Sequence, residues 1–455
     1  MAKFERDLTS GSVVKKLILF ALPFMLSNFI QSMYNIADMF IVGRFMGKTG
    51  ISGVSIGGQL MMIMTNAAVA ICTGGAIIIG QFIGAKERCN AVKTVATLLT
   101  FLLGIAACLT VFMLFASDKI LELIKTPPES YEYAKQYLSI TILGSTFIFG
   151  YNSLTAIMRG MGNSKTPLYL VSGACIINIL LDLLFVGVFD MGVRGAATAT
   201  VISQAFSMSA CIYFLTHTDF MFDFRPSSFK IHRDKLKLIL STGLPILIQS
   251  LAMSFSFLMM TVISNTLGVT ASAGLAIVAK FNGFALMPSM AVGASVSAMV
   301  AQNMGANQID RVKKTMHAGL GICFLVSIPI YIFAQFFSAT FISLFDKDAD
   351  LIVAGVEYLK YFSLDYLIMA FFSPVISLII GSGHTKFSSF LAICSSVLIR
   401  LPLAYFFVMV MDLNLAGIGL SAPIASSIAT IAAWFYYSSG RWKEKVITKK
   451  VIPST

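Results

Sequence analysis

Residues 22–47 read LPFMLSNFIQSMYNIADMFIVGRFMG. The stretch is apolar enough to lie in a bilayer, yet Asn28, Gln31, Asn35 and Asp38 recur at spacings of 3, 4 and 3. On a 3.6-residue period these four share one helical face. An ionised carboxylate at a bilayer centre costs about 2.5–3.5 kcal/mol even on the lenient insertion scale. Asp38 is therefore expected to face a cavity or a partner, not lipid. Asp182 lies the same way in a later apolar stretch. The default uses of such embedded acids are ion coupling or cation recognition.

Composition places the stretch in context. Of 455 residues, 57% are hydrophobic and 12% charged, against about 25% charged in soluble domains. Mean hydropathy is +0.84. Apolar runs recur along the whole chain, so a polytopic membrane protein without a separate soluble domain is expected. The opening MAKFERDLTSGSVVKK leads into a proline-containing span and does not read as a cleavable signal peptide. The seven cysteines lack metal-ligand spacing, and their odd number argues against a disulfide framework. They read as small buried hydrophobes. The net charge of +12 falls in alternate loops. That is a topology signal, and no nucleic-acid partner is expected.

A span needs about 20 apolar residues. The first six are read at 15–42, 52–80, 92–116, 131–160, 167–188 and 195–216. The second six are read at 236–265, 272–300, 314–338, 352–381, 388–411 and 416–438. Basic residues collect at Lys86, Arg88 and Lys93, at Arg159 and Lys165, and through Arg225, Lys230, Arg233, Lys235 and Lys237. They return at Arg311, Lys313 and Lys314, at Lys386, and at Arg441, Lys443, Lys445, Lys449 and Lys450. The intervening loops are acidic or mixed, with Asp118, Glu122 and Glu129, Asp190, then Asp346, Asp348 and Asp350, and Asp412. By the positive-inside rule both termini are cytoplasmic.

The halves repeat. Leu22-Pro23 recurs as Leu244-Pro245, 222 residues on. Gln81, Gly84 and Ala85 recur as Gln302, Gly305 and Ala306, and Tyr137-Leu138 recurs as Tyr358-Leu359. Gly160, Gly162 and Lys165 recur as Gly381, Gly383 and Lys386, and Gly195 as Gly417. Six spans per half give both halves the same orientation. The expectation is an all-α polytopic fold of twelve transmembrane helices in two parallel-repeat six-helix lobes. The lobes are set at 1–216 and 236–455, the second with a basic cytoplasmic tail, and 217–235 is a cytoplasmic inter-lobe loop. Repeats of this kind mark transporters that rock one half against the other.

Polar stripes concentrate in the first half. Ser172, Cys175, Asn178 and Asp182 follow helical spacing in the fifth span, and Thr200, Ser203 and Ser207 do so in the sixth. Together with Gln31, Tyr34 and Asn35 they can converge on a polar cavity. The competing reading for Asn28, Ser172 and Ser207 is interhelical hydrogen-bond glue, worth about 0.6 kcal/mol each. Two nearby carboxylates in a low-dielectric pocket cannot both ionise cheaply, so Asp38 and Asp182 should titrate as a pair. A proton would neutralise them. Na⁺ would too, with Asn178 and Thr200 oxygens filling its shell. Pro23 removes a helical hydrogen bond inside the span that carries Asp38, making either a gating bend or a static one.

The second half lacks this set. The positions equivalent to Asp38 and Asn178 are Met260 and Arg400, and the embedded charges are Lys280, Asp365 and Arg400. Lys280 and Asp365 read either as a self-neutralising pair or as functional groups. The 38 Phe and 25 Met mostly face lipid or pack helices, although Met also makes an adaptable cavity lining. Gly43, Gly47, Lys48 and Thr49 have the wrong glycine spacing for a phosphate loop. The four histidines (His217, His232, His317, His384) have no ligand spacing. No catalytic constellation emerges, so neither enzymatic activity nor a cofactor is expected.

Taken in register, residues 22–47, the pair GQFIGA and AQNMGA, the pair RGMGNSKTP and GSGHTK, and NILLD followed by GAATATVISQ resemble the MATE (multidrug and toxic compound extrusion) family. The likeness covers essentially the whole chain and is greatest to the DinF-like and MepA-like bacterial branch. It implies a monomer in the bacterial inner (plasma) membrane that exchanges small cationic or amphipathic substrates for H⁺ or Na⁺. It also implies a cation site on Asp38, Asn178, Asp182 and Thr200, and a bending role for Pro23. The NorM branch carries acids in the seventh and tenth spans. Here the seventh has none and the tenth-span motif position is Met369, so NorM-type Na⁺ coupling is not expected. The alternative is a lipid-linked precursor flippase of the wider superfamily. Such chains resemble a longer, often fourteen-span protein with a basic central cavity.

Overall fold

A computed structural model of the protein describes residues 6–345 and 347–444. Asp346, Lys445, Lys449, Lys450 and the first five residues lie outside the described residues. All regular structure among the described residues is helical. The first half runs α1 (Val13–Gly84), α2 (Arg88–Leu123), α3 (Pro128–Leu143), α4 (Ser145–Gly160), α5 (Lys165–Asp182) and α6 (Gly192–Thr216). The second runs α7 (Arg233–Thr266), α8 (Val269–Gly305), α9 (Ile309–Phe336), α10 (Ser338–Ser343), α11 (Ala349–Phe362), α12 (Leu364–Gly381), α13 (Thr385–Ile393), α14 (Arg400–Met409) and α15 (Asn414–Ser438). Single π-helical turns, Leu183–Val188 and Cys394–Ile399, follow α5 and α13.

At 1.5 Å per residue a straight α1 would be roughly 110 Å long, over three times the ~30 Å hydrocarbon core. It is not straight. Gly47 breaks it with φ 64 and ψ −158, a conformation that only glycine adopts cheaply. The expected loop between the first two spans is therefore a one-residue break, and helix flanks it on both sides. The fourth span also departs from expectation. It is bent by 54° between α3 and α4, at Gly144-Ser145, the kind of small polar pair where helices kink. Among the described residues ten helices are long and apolar enough to cross a membrane. Dividing α1 at Gly47 and joining α3 to α4 as one bent span brings the number to twelve.

The chain forms two compact units. The first comprises 1–7 and 22–243, the second 8–21 and 244–455. Their limits inside α1 and α7 fall at Leu22 and Leu244, directly before the repeated Pro23 and Pro245. Each of these prolines interrupts the hydrogen-bond ladder of its helix. In the first unit α5 packs on α6, α3 on α6 and α2 on α4. In the second, α12 packs on α8 and α9, and α11 on α15.

The stretch 217–243 belongs to the first unit, which changes the reading of Lys235. It is not a solvated loop charge: the residue is fully buried, with Nζ 4.7 Å from the Phe82 ring centroid and 3.2 Å from Asp234 Oδ2. A cation over an aromatic face, with a neighbouring carboxylate, offsets the loss of water.

The internal repeat has a physical counterpart in close helix crossings. A Cβ on Gly160 would meet the Ala76 carbonyl oxygen at 2.6 Å, and one on Gly381 would meet the Ser297 carbonyl oxygen at 2.5 Å. Small residues let backbones approach where lipid offers no hydrophobic drive for association. Gly160→Val and Gly381→Val should each lower stability by about 1–3 kcal/mol through overpacking. A fall in melting temperature of the purified protein would register it. Gly104→Val and Gly321→Val, where nothing lies within 4 Å of the new Cβ, should leave it unchanged. Equal losses at all four positions would refute the crossing argument.

Candidate cation site and cavity

Within the first unit the polar edge of α1 lines a cavity of about 560 Å³. Asn28, Gln31, Tyr34, Asn35 and Asp38 all border it, as the helical spacing predicts. Asp38 is 7% exposed and Asp182 fully buried. Asp182 is the last residue of α5, immediately before the π-helical turn. Such turns shift the helical face by part of a turn and recur at functional sites. The two carboxyl groups face each other at hydrogen-bonding distance. A hydrogen bond between two carboxyls requires a proton on one of them. Each also keeps an Oδ1 without a hydrogen-bond partner.

Asn178 lies one turn before Asp182. In the amide orientation that satisfies both ends, Asn178 Nδ2 donates to Asp182 Oδ2 at 2.8 Å, and Oδ1 accepts from the Thr200 backbone N–H at 3.3 Å. Thr200 Oγ1 donates to the Ala196 carbonyl at 3.0 Å and meets the hydroxyls of Tyr34 and Tyr137. Asp38, Asn178, Asp182 and Thr200 are thus brought together as the spacing predicts. Among the described residues no cluster of three or more His, Cys, Asp or Glu forms a metal site.

Ser172, Ser203 and Ser207 donate to backbone carbonyls of their own helices, at 2.8, 2.9 and 3.0 Å. Ser203 also borders a recess of about 20 Å³ beside Gln31, Tyr34 and Asn178, room for about one water. Pro23 is buried, and its carbonyl accepts from Ser27 Oγ at 2.8 Å.

Several cavity residues escaped sequence reasoning: Tyr137, Tyr151, Arg159, Gln59 and Asn66. A signal existed. Gln59 and Asn66 are two turns apart on one face of an apolar span, as are Asn152 and Arg159. Tyr137 gave none, since a tyrosine in a span is ordinary packing.

The second unit holds its charges differently. Lys280 is exposed, with its ammonium 5.8 Å from the Phe345 ring centroid, and among the described residues no ion pair joins it to Asp365. Asp365 instead meets the Ser426 hydroxyl and feels the Arg400 guanidinium, which Tyr358 also contacts. Arg400 opens α14 directly after the second π-helical turn. Met260, at the position equivalent to Asp38, is 2% exposed within an apolar cluster. Among the described residues Asp365 therefore makes no ion pair with Lys280.

The MatE family model matches the chain twice, over 23–184 and 245–406, a 222-residue offset within one residue of every motif pair. The probable multidrug resistance protein YpnP of Bacillus subtilis is 27% identical over 449 residues, covering 98% of this chain and 99% of that protein. The multidrug export protein MepA of Staphylococcus aureus is 24% identical over 426 residues, covering 92% of each. A solved structure of a MOP superfamily transporter from Pyrococcus furiosus matches with a TM-score of 0.89 at 22% identity, over 96% of this chain and 98% of that one. The fold is shared with it.

The carboxyl pair makes a stability prediction. Asp182→Asn keeps a hydrogen-bonding group against Asp38 and Asn178 and should leave the melting temperature within a few degrees. Asp182→Leu strands both partners in a buried site, at about 1–3 kcal/mol for each unsatisfied group. Its melting temperature should fall well below that of the Asn variant. The reverse order would disprove the pairing.

Proposed function

The chain belongs to the MatE family, and on that premise we propose that it is a secondary active antiporter. It exports small cationic or amphipathic compounds in exchange for protons. The observation that carries the coupling is the buried Asp38–Asp182 pair, hydrogen-bonded carboxyl to carboxyl at one end of the cavity. With one proton between them the two carboxyls carry a single negative charge and hydrogen-bond to each other. Without it the charge beside the cavity doubles and attracts a cationic substrate more strongly. Proton and substrate therefore compete for one charge, which is the physical requirement for exchange. The curated relatives named for multidrug resistance and export support the substrate class.

The energetics suffice. One proton supplies about 1.4 kcal/mol per pH unit and roughly 2.3 kcal/mol per 100 mV, together enough for about a hundredfold gradient of a neutral substrate; one-for-one exchange with a monocation moves no net charge and draws on the pH term alone. Alternating access would proceed by rocking of the two halves, with α1 changing its bend at Pro23 as Asp38 loads and unloads. The protein would sit in the bacterial inner membrane with both termini cytoplasmic, following the basic-loop asymmetry. It would work as a monomer, since the polar cavity and carboxyl pair lie within one chain.

The test is substrate efflux from proteoliposomes under a pH gradient and a Na⁺ gradient, imposed separately. Ethidium export should follow the pH gradient without Na⁺, and Asp38→Asn should abolish it while the protein remains folded. Undiminished ethidium export by that variant would end the coupling claim. Export driven by Na⁺ alone would replace the proton with Na⁺.

A further inference from the structure

The same cavity carries a charge of opposite sign at its other end. Arg159, in the last turn of α4, borders it together with Phe24. Its guanidinium carbon is 4.9 Å from the Phe24 ring centroid, and Nη2 donates to Thr155 Oγ1 at 3.2 Å. Nε is sealed from solvent and has no hydrogen-bond partner. Among the described residues no Asp or Glu lies in ion-pair range of it. Along α1, Phe24 and Asp38 are fourteen residues apart, roughly 20 Å at 1.5 Å per residue. Asn28, Gln31, Asn35, Gln59 and Asn66 border the cavity with neutral amides.

An arginine at a membrane protein's internal cavity without a carboxylate is expensive, and its planar fork matches a carboxylate or phosphate two bonds at a time. A helix-end structural role explains the charge at a C-terminal turn. It does not explain why the residue borders the cavity with its guanidinium over Phe24 and Nε unsatisfied.

We propose that Arg159 forms an anion-binding subsite at the Phe24 end of the cavity, so that the preferred ligand is an amphipathic molecule bearing a carboxylate or phosphate. The inference rests on the antiport reading for the cavity's use, but the subsite is separable from it. A ligand with a cationic body and an anionic arm satisfies both ends of the cavity: its cation is drawn toward the carboxyl pair and its anion to the guanidinium. The face of Phe24 provides an apolar wall beside the anionic group, and the amides hydrogen-bond whatever lies between.

A matched pair of dyes tests this. Rhodamine B carries a cationic xanthylium and a free carboxylate, and its ethyl ester replaces that carboxylate with an uncharged, slightly larger ester. Fluorescence anisotropy of the purified full chain in phosphatidylcholine nanodiscs, with empty discs as blank, gives both affinities. The wild-type protein should prefer the acid by roughly tenfold or more, the size of one charge-assisted hydrogen bond. In Arg159→Gln that preference should shrink to within about twofold, and Arg159→Lys should hold an intermediate one.

Equal wild-type affinities, binding of neither dye, or a preference that survives Arg159→Gln would each overturn the subsite. The wild-type comparison decides even where a variant fails to fold. Discs containing phosphatidylglycerol separate the source of the anion. If lipid phosphate takes the same guanidinium, acid binding weakens there while ester binding does not, which supports the subsite with a lipid occupant. If proteoliposomes transport neither dye while the acid preference holds, the antiport reading fails and the subsite stands. If transport occurs but the wild type binds both dyes alike, the subsite fails and antiport stands.

Discussion

Two carboxyl groups held against each other out of water set the terms for the first unit. Neither Asp38 nor Asp182 can carry its full charge there without a neutralising partner, and among the described residues no base stands beside them. Everything nearby can be understood as support for that pair. Asn178 donates to one carboxyl and is itself anchored by the Thr200 backbone. Tyr34 and Tyr137 close on the Thr200 hydroxyl. The support is polar but uncharged, so it orients the acids without relieving them. A site built this way stores sensitivity to a small cation in the electrostatics of two residues.

The second unit uses the same helical frame without a second acid. Its Asp365 meets a serine hydroxyl and feels the Arg400 guanidinium, and the position that would hold the first acid is a buried methionine. Both units keep a glycine-on-carbonyl helix crossing. The shared crossings reflect packing in a medium that gives no hydrophobic drive between helices. Asymmetry enters through side chains, and π-helical turns adjoin both Asp182 and Arg400. Those turns fall at different points of the repeat, so each half re-aims its charged group independently.

Conformational breaks are placed with the same economy of means. Gly47 breaks one helical run without a loop, and Gly144-Ser145 bends a span that the sequence pattern leaves uninterrupted. Pro23 and Pro245 mark where the compact units change over along α1 and α7. Each break sits at a residue whose backbone chemistry permits it.

Hydropathy and periodicity were enough to determine the all-helical membrane class, the two-fold internal repeat and the helical faces of Asp38, Asn178, Asp182 and Thr200. These are local properties: apolar length measures a span, and a 3.6-residue period assigns a face. Periodicity says which way a side chain points along its own helix, but not what stands opposite. Only the tertiary structure decided that Asp365 meets the Ser426 hydroxyl while Lys280 stays exposed, that Lys235 is buried over Phe82, and that Tyr137 and Arg159 join the site. The same limit hid the direction of the Asn178 amide, because hydrogen-bond partners 22 residues away along the chain leave no trace in local spacing. Pairing across helices is a long-range fact, and it is set by packing.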